Sequence, residues 1–153
     1  HKLISKAARE FALGELAQDV VKRDQEKIWP KPQIRQMAEL GFLGMMVAPD
    51  WSGGGLDTIS YCIAMEEIAK VDASASVVMS VNNSLVCYLI ERYGSDFQRE
   101  KYLHKLAKGE LLGAFSLSEP QSGSDASNMK TIAKKTKDGY LLNGTKNWVT
   151  KVW

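Results

Sequence analysis

From Ala73 to Ile90 the chain carries no Lys, Arg, Asp or Glu. Eighteen uncharged residues are enough to cross a bilayer as a helix, so this stretch decides what the chain can fold into. Ser74, Ser76, Ser80, Asn82, Asn83 and Ser84 argue against lipid, because each would bring a polar group into hydrocarbon. A central helix packed among other helices fits better. In that setting Asn82 and Asn83 need hydrogen-bond partners. Backbone or neighbouring helices can supply them, which the residues alone favour; the sharper alternative is that both amides line a ligand cavity.

The segments around this run can provide the packing. Leu3, Ile4, Ala7, Ala8, Phe11, Ala12, Leu16, Val20 and Val21 follow the spacing of one helical face. Pro32 can open a second, short helix through Ile34, Met37 and Leu40, stopped by Gly41. PDWSGGG, from Pro49 to Gly55, reads as a flexible or sharply turning connection; it lacks the GK[ST] ending of a phosphate-binding loop. A third helix is predicted over Thr58–Lys70, with Glu66 and Glu67 on its solvated face. The central run ends at Gly94. Ser95 with Gln98 then forms a capping box for a fifth helix, which runs to about Lys108 and stops at Gly109.

The period changes after that. Leu111–Ser118, Thr131–Lys135 and Tyr140–Asn143 read as strands, the last two joined by the hairpin signal Asp138-Gly139. Gly144 turns the chain again before Trp148-Val149-Thr150. Residues 1–111 are therefore expected to form an all-α bundle, and 112–153 the opening of a β unit. Three or four strands in about forty residues are too few for a stable β domain, so the chain reads as truncated, with apolar strand edges that favour association or a missing remainder.

Charge and residue usage exclude several functions. Twenty Lys and Arg against eighteen Asp and Glu leave +2, which suits neither a polybasic nucleic-acid binder nor an acidic tail. Residues 112–153 hold six basic and three acidic groups, a mild bias that Lys on solvated strand edges explains. Cys62 and Cys87 lie in apolar surroundings and read as buried free thiols of a reducing compartment. His1 and His104 are the only histidines, so no zinc site or His-based triad can be assembled, and no metal ligand is assigned. His1 in place of Met suggests a trimmed start, and HKLISKAARE is no signal peptide.

Two motifs carry chemistry. In FSLSEPQSGSD, Phe115–Asp125, an extended segment ends at Glu119-Pro120 and enters a small-residue loop. Ser122, Gly123 and Ser124 offer closely spaced N–H groups and hydroxyls that can approach a phosphate, although a plain turn is the commoner reading. In NGTKNWVT, Asn143–Thr150, a strand would point Trp148 and Thr150 to one face, where Trp can stack on a flat ring and Thr can bond to its edge. A core Trp beside a surface Thr is the commoner arrangement.

LSEPQSGSD followed by NGTKNWVT, behind a five-helix unit, resembles the acyl-CoA dehydrogenases, most nearly the short-chain, butyryl-CoA type. ELGFLGM, AMEEIAKVDAS and YGSDFQREKYLHKLAKGE agree, so the resemblance covers nearly the whole chain. It implies a mainly α fold: an N-terminal α-helical bundle domain over 1–111, then the first strands of a β-barrel-like middle domain over 112–153, without the C-terminal helical domain. It implies FAD as cofactor. Phe115, Leu117 and Ser118 would line the flavin, Gly123 and Ser124 would face the pyrophosphate, Trp148 would pack on the isoalloxazine, and Thr150 would bond near N5. Met79, Asn82, Asn83 and Val86, with Ser124, would border the acyl substrate.

The implied reaction is α,β-dehydrogenation of a short-chain fatty acyl-CoA to the trans-2-enoyl-CoA, in fatty acid β-oxidation. Electrons would pass to an electron-transferring flavoprotein. A homotetramer in the bacterial cytoplasm or mitochondrial matrix would be expected, binding neither nucleic acid nor membrane. The resemblance places the catalytic glutamate in the C-terminal domain, beyond residue 153, so no catalytic residue is assigned here and the 153-residue chain is expected to be inactive. An acyl-CoA oxidase of the same fold and a non-catalytic helical binding module are the alternatives. Ser116, Asn128, Trp51 and the closing Lys151-Val152-Trp153 depart from the family pattern.

Overall fold

Residues 1–150 are described by a computed structural model, which divides the chain into His1–Gly113 and Ala114–Trp153. The first unit is helical. Helix α1 (Lys2–Phe11) continues through a π-helical turn at Ala12–Leu16 and a 3-10 turn at Ala17–Asp19 into α2 (Val20–Glu26). The single face expected over Leu3–Val21 is therefore interrupted: Ala8, Phe11, Ala12 and Leu16 are buried, whereas Val21 is exposed. Asp19, at φ −125° and ψ 13°, leaves the helical region and rotates the face. Helix α3 (Lys31–Glu39) starts with Pro32 in its first turn, where a missing N–H costs nothing.

Helix α4 (Thr58–Ala69) is capped by Asp57, whose carboxylate accepts from the Ser60 N–H at 2.7 Å. Helix α5 (Ala73–Ser80) is capped by Asp72 through the Ala75 N–H at 2.9 Å. The uncharged run goes on through a π-helical segment, Val81–Cys87, into α6 (Tyr88–Tyr93). The run is long and apolar enough to cross a membrane, with mean hydropathy 1.4, but Ala75, Val78, Met79, Asn82, Asn83 and Cys87 are buried inside the bundle. Helix α7 (Asp96–Ala107) opens with both bonds of the expected capping box: Gln98 N–H to Ser95 Oγ at 3.3 Å and Ser95 N–H to Gln98 Oε1 at 2.8 Å.

One core gathers Phe11, Leu16, Ile34, Met37, Leu43, Ile68 and Met79 around the central run. Val47, Cys87, Leu103, Leu106 and Ala107 form a second cluster beneath α7. The PDWSGGG segment turns sharply: Gly53, Gly54 and Gly55 donate to the carbonyls of Ala48, Gly44 and Val47 at 2.9–3.2 Å. A Cβ at Gly53 would collide with the Val47 carbonyl, so only glycine permits this approach.

Two sequence expectations for this unit fail, the first because its partner is far away in the chain. Glu67 is buried, not solvated: Arg9 from α1 donates to both its oxygens at 2.8 and 2.9 Å. The Arg9 guanidinium, helped by Lys70, holds the Glu67 carboxyl down at about 2 against burial. A carboxyl lowered in the folded state stabilises above its ordinary value, and that contribution is lost as pH falls toward 2. Acid unfolding between pH 4.5 and 2 should therefore weaken in Glu67→Gln, measured as the slope of the melting temperature against pH. An unchanged slope would remove Glu67 from the acid response. Cys62 is exposed and Cys87 is buried, neither in a disulfide; the expectation of two buried thiols holds only for Cys87.

In the second unit, β1 (Ile132–Thr136) and β2 (Gly139–Asn143) form an antiparallel hairpin, with Ile132 opposite Asn143 and Thr136 opposite Gly139. The turn is Lys137-Asp138, one residue earlier than the Asp138-Gly139 signal suggested. All ten strand residues are exposed, Ile132, Tyr140, Leu141 and Leu142 included. The strand expected over Leu111–Ser118 is not formed, since no ladder partner lies beside it among the described residues. The strand expected at Trp148–Thr150 also fails: Trp148 has φ 56°, a left-handed conformation that breaks the alternation.

Candidate functional site

Main-chain pairing around Glu119 assembles the candidate site in the second unit. Glu119 N–H donates to the Ser122 carbonyl at 2.7 Å, and Ser122 N–H returns to the Glu119 carbonyl at 3.0 Å. The Ser122 hydroxyl donates to the Asp125 carbonyl at 2.7 Å. Ser122 is thereby used up inside its own loop, while Gly123 and Ser124 remain exposed on it. A Cβ on Gly123 would meet no atom within 4 Å, so its main chain faces open space.

The second motif closes onto the first. Asn147 N–H donates to the Ser118 carbonyl at 2.8 Å. Lys146 Nζ donates to the Leu117 carbonyl and to Glu119 Oε1, both at 2.9 Å. Leu117 and Ser118 are thus drawn beside the segment that carries Trp148. Trp148 is 92% exposed, and Leu117 and Phe115 are partly open to solvent. The Ser118, Ser124 and Thr150 hydroxyls make no hydrogen bond to another described residue.

Glu119 is the electrostatic centre of this arrangement. Its side chain is only 2% exposed. Oε2 accepts from Gln121 Nε2 and from the Lys130 N–H, both at 2.6 Å. Oε1 accepts from the Thr131 N–H at 3.0 Å as well as from Lys146. Lys146, then Thr131 and Lys130, hold the carboxyl well below the ordinary carboxylate range. A carboxylate so fully bonded cannot take a proton from a substrate near neutrality. The sequence marks Glu119 as part of a motif but gives it no role; three of its four partners lie 11 to 27 residues away, and no local period announces them.

The structure thus brings Leu117, Ser118, Gly123, Ser124 and Trp148 onto one hydrogen-bonded framework. Met79, Asn82 and Asn83 belong to the core of the helical unit. Asn82 Nδ2 donates to the Leu43 carbonyl at 2.8 Å and the Leu106 carbonyl at 3.0 Å, and its Oδ1 accepts from the Gly113 N–H at 2.9 Å. Asn83 Nδ2 donates to Phe42 and Met79 carbonyls at 2.8 and 3.0 Å. Val86 is half-buried against Gly113, close enough that a Cβ there would clash. Both amides are thereby bonded to main-chain groups inside the helical unit, as the residues alone favour, while a place for them beside the acyl chain rests on the resemblance.

Exposed Trp148 and Leu117, solvent-accessible hydroxyls and an open Gly123 main chain fit a flat ring joined to a phosphate. Comparison with known proteins supplies the class. Residues 1–110 match the model of the acyl-CoA dehydrogenase N-terminal domain, and residues 114–152 that of the acyl-CoA dehydrogenase middle domain. The chain belongs to the acyl-CoA dehydrogenase family.

Within it, the chain is 42% identical over all its 153 residues to the mitochondrial short-chain specific acyl-CoA dehydrogenase of Mus musculus, covering 37% of that protein. Butyryl-CoA dehydrogenase from Megasphaera elsdenii superposes with a TM-score of 0.89 at 39% identity, over 97% of this chain and 40% of that one. A glutaryl-CoA dehydrogenase from Mycobacterium smegmatis in complex with FADH2 gives a TM-score of 0.92 at 32% identity, over 97% of this chain and 38% of that one. The chain therefore spans about two fifths of the length of these proteins.

Proposed function

We propose that the full-length protein bearing this chain is an FAD-dependent acyl-CoA dehydrogenase that converts short-chain acyl-CoA to trans-2-enoyl-CoA and passes electrons to an electron-transferring flavoprotein. Residues 1–111 would be its N-terminal helical domain and 112–153 the start of its middle domain, within a homotetramer. The observation that carries the reading is the convergence of Leu117-Ser118, Gly123-Ser124 and Trp148 on the Glu119–Lys146 pair.

In this reading Phe115, Leu117 and Trp148 offer apolar surface to the ring, and the Ser118 and Thr150 hydroxyls offer donors at its edge. Gly123 and Ser124 offer N–H groups to the pyrophosphate, and Ser124 also borders the substrate. Bound FAD supplies the acceptor for a hydride from the substrate β-carbon. The chain's own contribution is to orient that ring and shield one of its faces. Glu119 is excluded as the α-proton base by its four donors. An exposed free thiol at Cys62 agrees with a reducing compartment, bacterial cytoplasm or mitochondrial matrix.

The test is turnover by the full-length protein of acyl-CoA substrates of graded length, with a dye acceptor and with oxygen alone. The expected result is a kcat/KM maximum at the four-carbon substrate with dye, and little oxygen consumption. A maximum at long chains would overturn the short-chain assignment, and rapid oxygen consumption would make the protein an oxidase.

A further inference from the structure

We propose that Glu119 is a positioning residue for cofactor binding: together with Lys146 it fixes the main chain that presents Ser118, Gly123 and Trp148. This rests on the reading of the preceding subsection. Three stretches of chain meet at one carboxylate. Gln121 belongs to the Ser-Gly-Ser loop, Lys130 and Thr131 lead into β1, and Lys146 leads into Trp148. Lys146 extends the framework by donating to the Leu117 carbonyl, and Met129 Sδ lies 3.4 Å from its Nζ. None of these atoms is free to touch a ring or a substrate, yet each is within a few residues of one that is.

The pair holds this geometry with charge. Every group facing Glu119 in these contacts is a donor, so the carboxylate is the one side chain of this size that can accept from all four. In Glu119→Gln an amide NH2 would have to face either the Lys130 N–H and Gln121 Nε2, or the Thr131 N–H and Lys146. The substitution is isosteric but turns a donor toward donors. Lys146→Met keeps the length of the stem and removes the charge, which releases the Leu117 carbonyl and leaves the Asn147 N–H to Ser118 carbonyl bond to hold the segment of Trp148. Lys146→Arg keeps a cation that can reach both acceptors.

The experiment titrates FAD into the full-length apo-protein and records flavin fluorescence, the absorption of the bound flavin and the melting temperature of the apo form. Glu119→Gln and Lys146→Met are expected to weaken FAD at least about tenfold, or about 1.4 kcal/mol, and to shift the bound absorption band. Lys146→Arg should recover most of the affinity and the native band. Wild-type affinity in Lys146→Met overturns the inference alone. So does a loss of affinity that follows a lowered apo melting temperature while the band of the bound flavin is unchanged, because the pair would then be only structural. If Glu119→Gln does not fold, the Lys146 variants decide by the same readings. Absence of FAD binding by the unsubstituted protein overturns the functional reading and this inference with it.

Discussion

Replacing Asn82 by Ala is expected to cost about 3–5 kcal/mol of unfolding free energy. The side chain is fully buried and joins three segments: the Leu43 carbonyl, the Leu106 carbonyl and the Gly113 N–H. Truncation leaves the Leu43 carbonyl and the Gly113 N–H dry and unpaired, at about 1–3 kcal/mol each, partly offset where water enters the gap, while the Leu106 carbonyl keeps the Gly109 N–H at 3.1 Å. Asn82→Asp keeps the acceptor for Gly113 but loses both donors and buries a charge, so it should be no better. Asn83→Ala should cost less. Its Nδ2 serves two carbonyls and its Oδ1 already lacks a partner, so fewer satisfied groups are lost. Chemical denaturation of the purified variants measures the series. A cost under about 1 kcal/mol for Asn82→Ala would contradict the packing role.

The second large effect concerns Asp72. It pairs with Arg23 at 3.0 Å with both side chains over 90% buried, and it caps α5 through the Ala75 N–H. Arg23 Nη2 also donates to the Leu16 carbonyl at 2.6 Å, while Nε and Nη1 are buried without a hydrogen-bond partner. Asp72→Ala strands a guanidinium that is already short of acceptors and removes the cap, with an expected cost of about 3–5 kcal/mol. Asp72→Asn keeps a good cap and loses only the charge, so it should fall between wild type and Ala. Arg23→Met should be milder than Asp72→Ala, because it removes the unpaired atoms with the charge. The double variant Arg23→Met/Asp72→Ala should then recover part of the loss, a coupling that a double-mutant cycle reads directly. Equal stability of Asp72→Asn and wild type would mean that the ion pair contributes nothing beyond the cap.

Features that depend on neighbours in sequence were legible. Pro32 opens α3, Ser95 and Gln98 cap α7, and the two hairpin strands lie within a residue of their expected places. The uncharged run was legible as a buried helix because its serines and asparagines suit a protein interior and not lipid. Features that depend on distant partners were not. Glu67 looks solvated until Arg9, 58 residues earlier, is folded beside it. Leu111–Ser118 has strand composition, but a strand exists only where a ladder partner is present. Trp148 and Thr150 suggest one face of a strand by spacing, yet a left-handed Trp148 cancels the alternation. At the candidate site the sequence identified the exposed positions by their motifs. It gave no sign of the pairing of Glu119 with Lys146, which spans 27 residues.

The central claim is that the second unit contributes a flavin-facing surface. Its most direct test is the visible absorption spectrum of the purified full-length protein, before and after anaerobic addition of butyryl-CoA. The account predicts a flavin band that is bleached by the substrate and is weakened in Trp148→Ala. A protein that shows no flavin band and takes up none when FAD is supplied would contradict it.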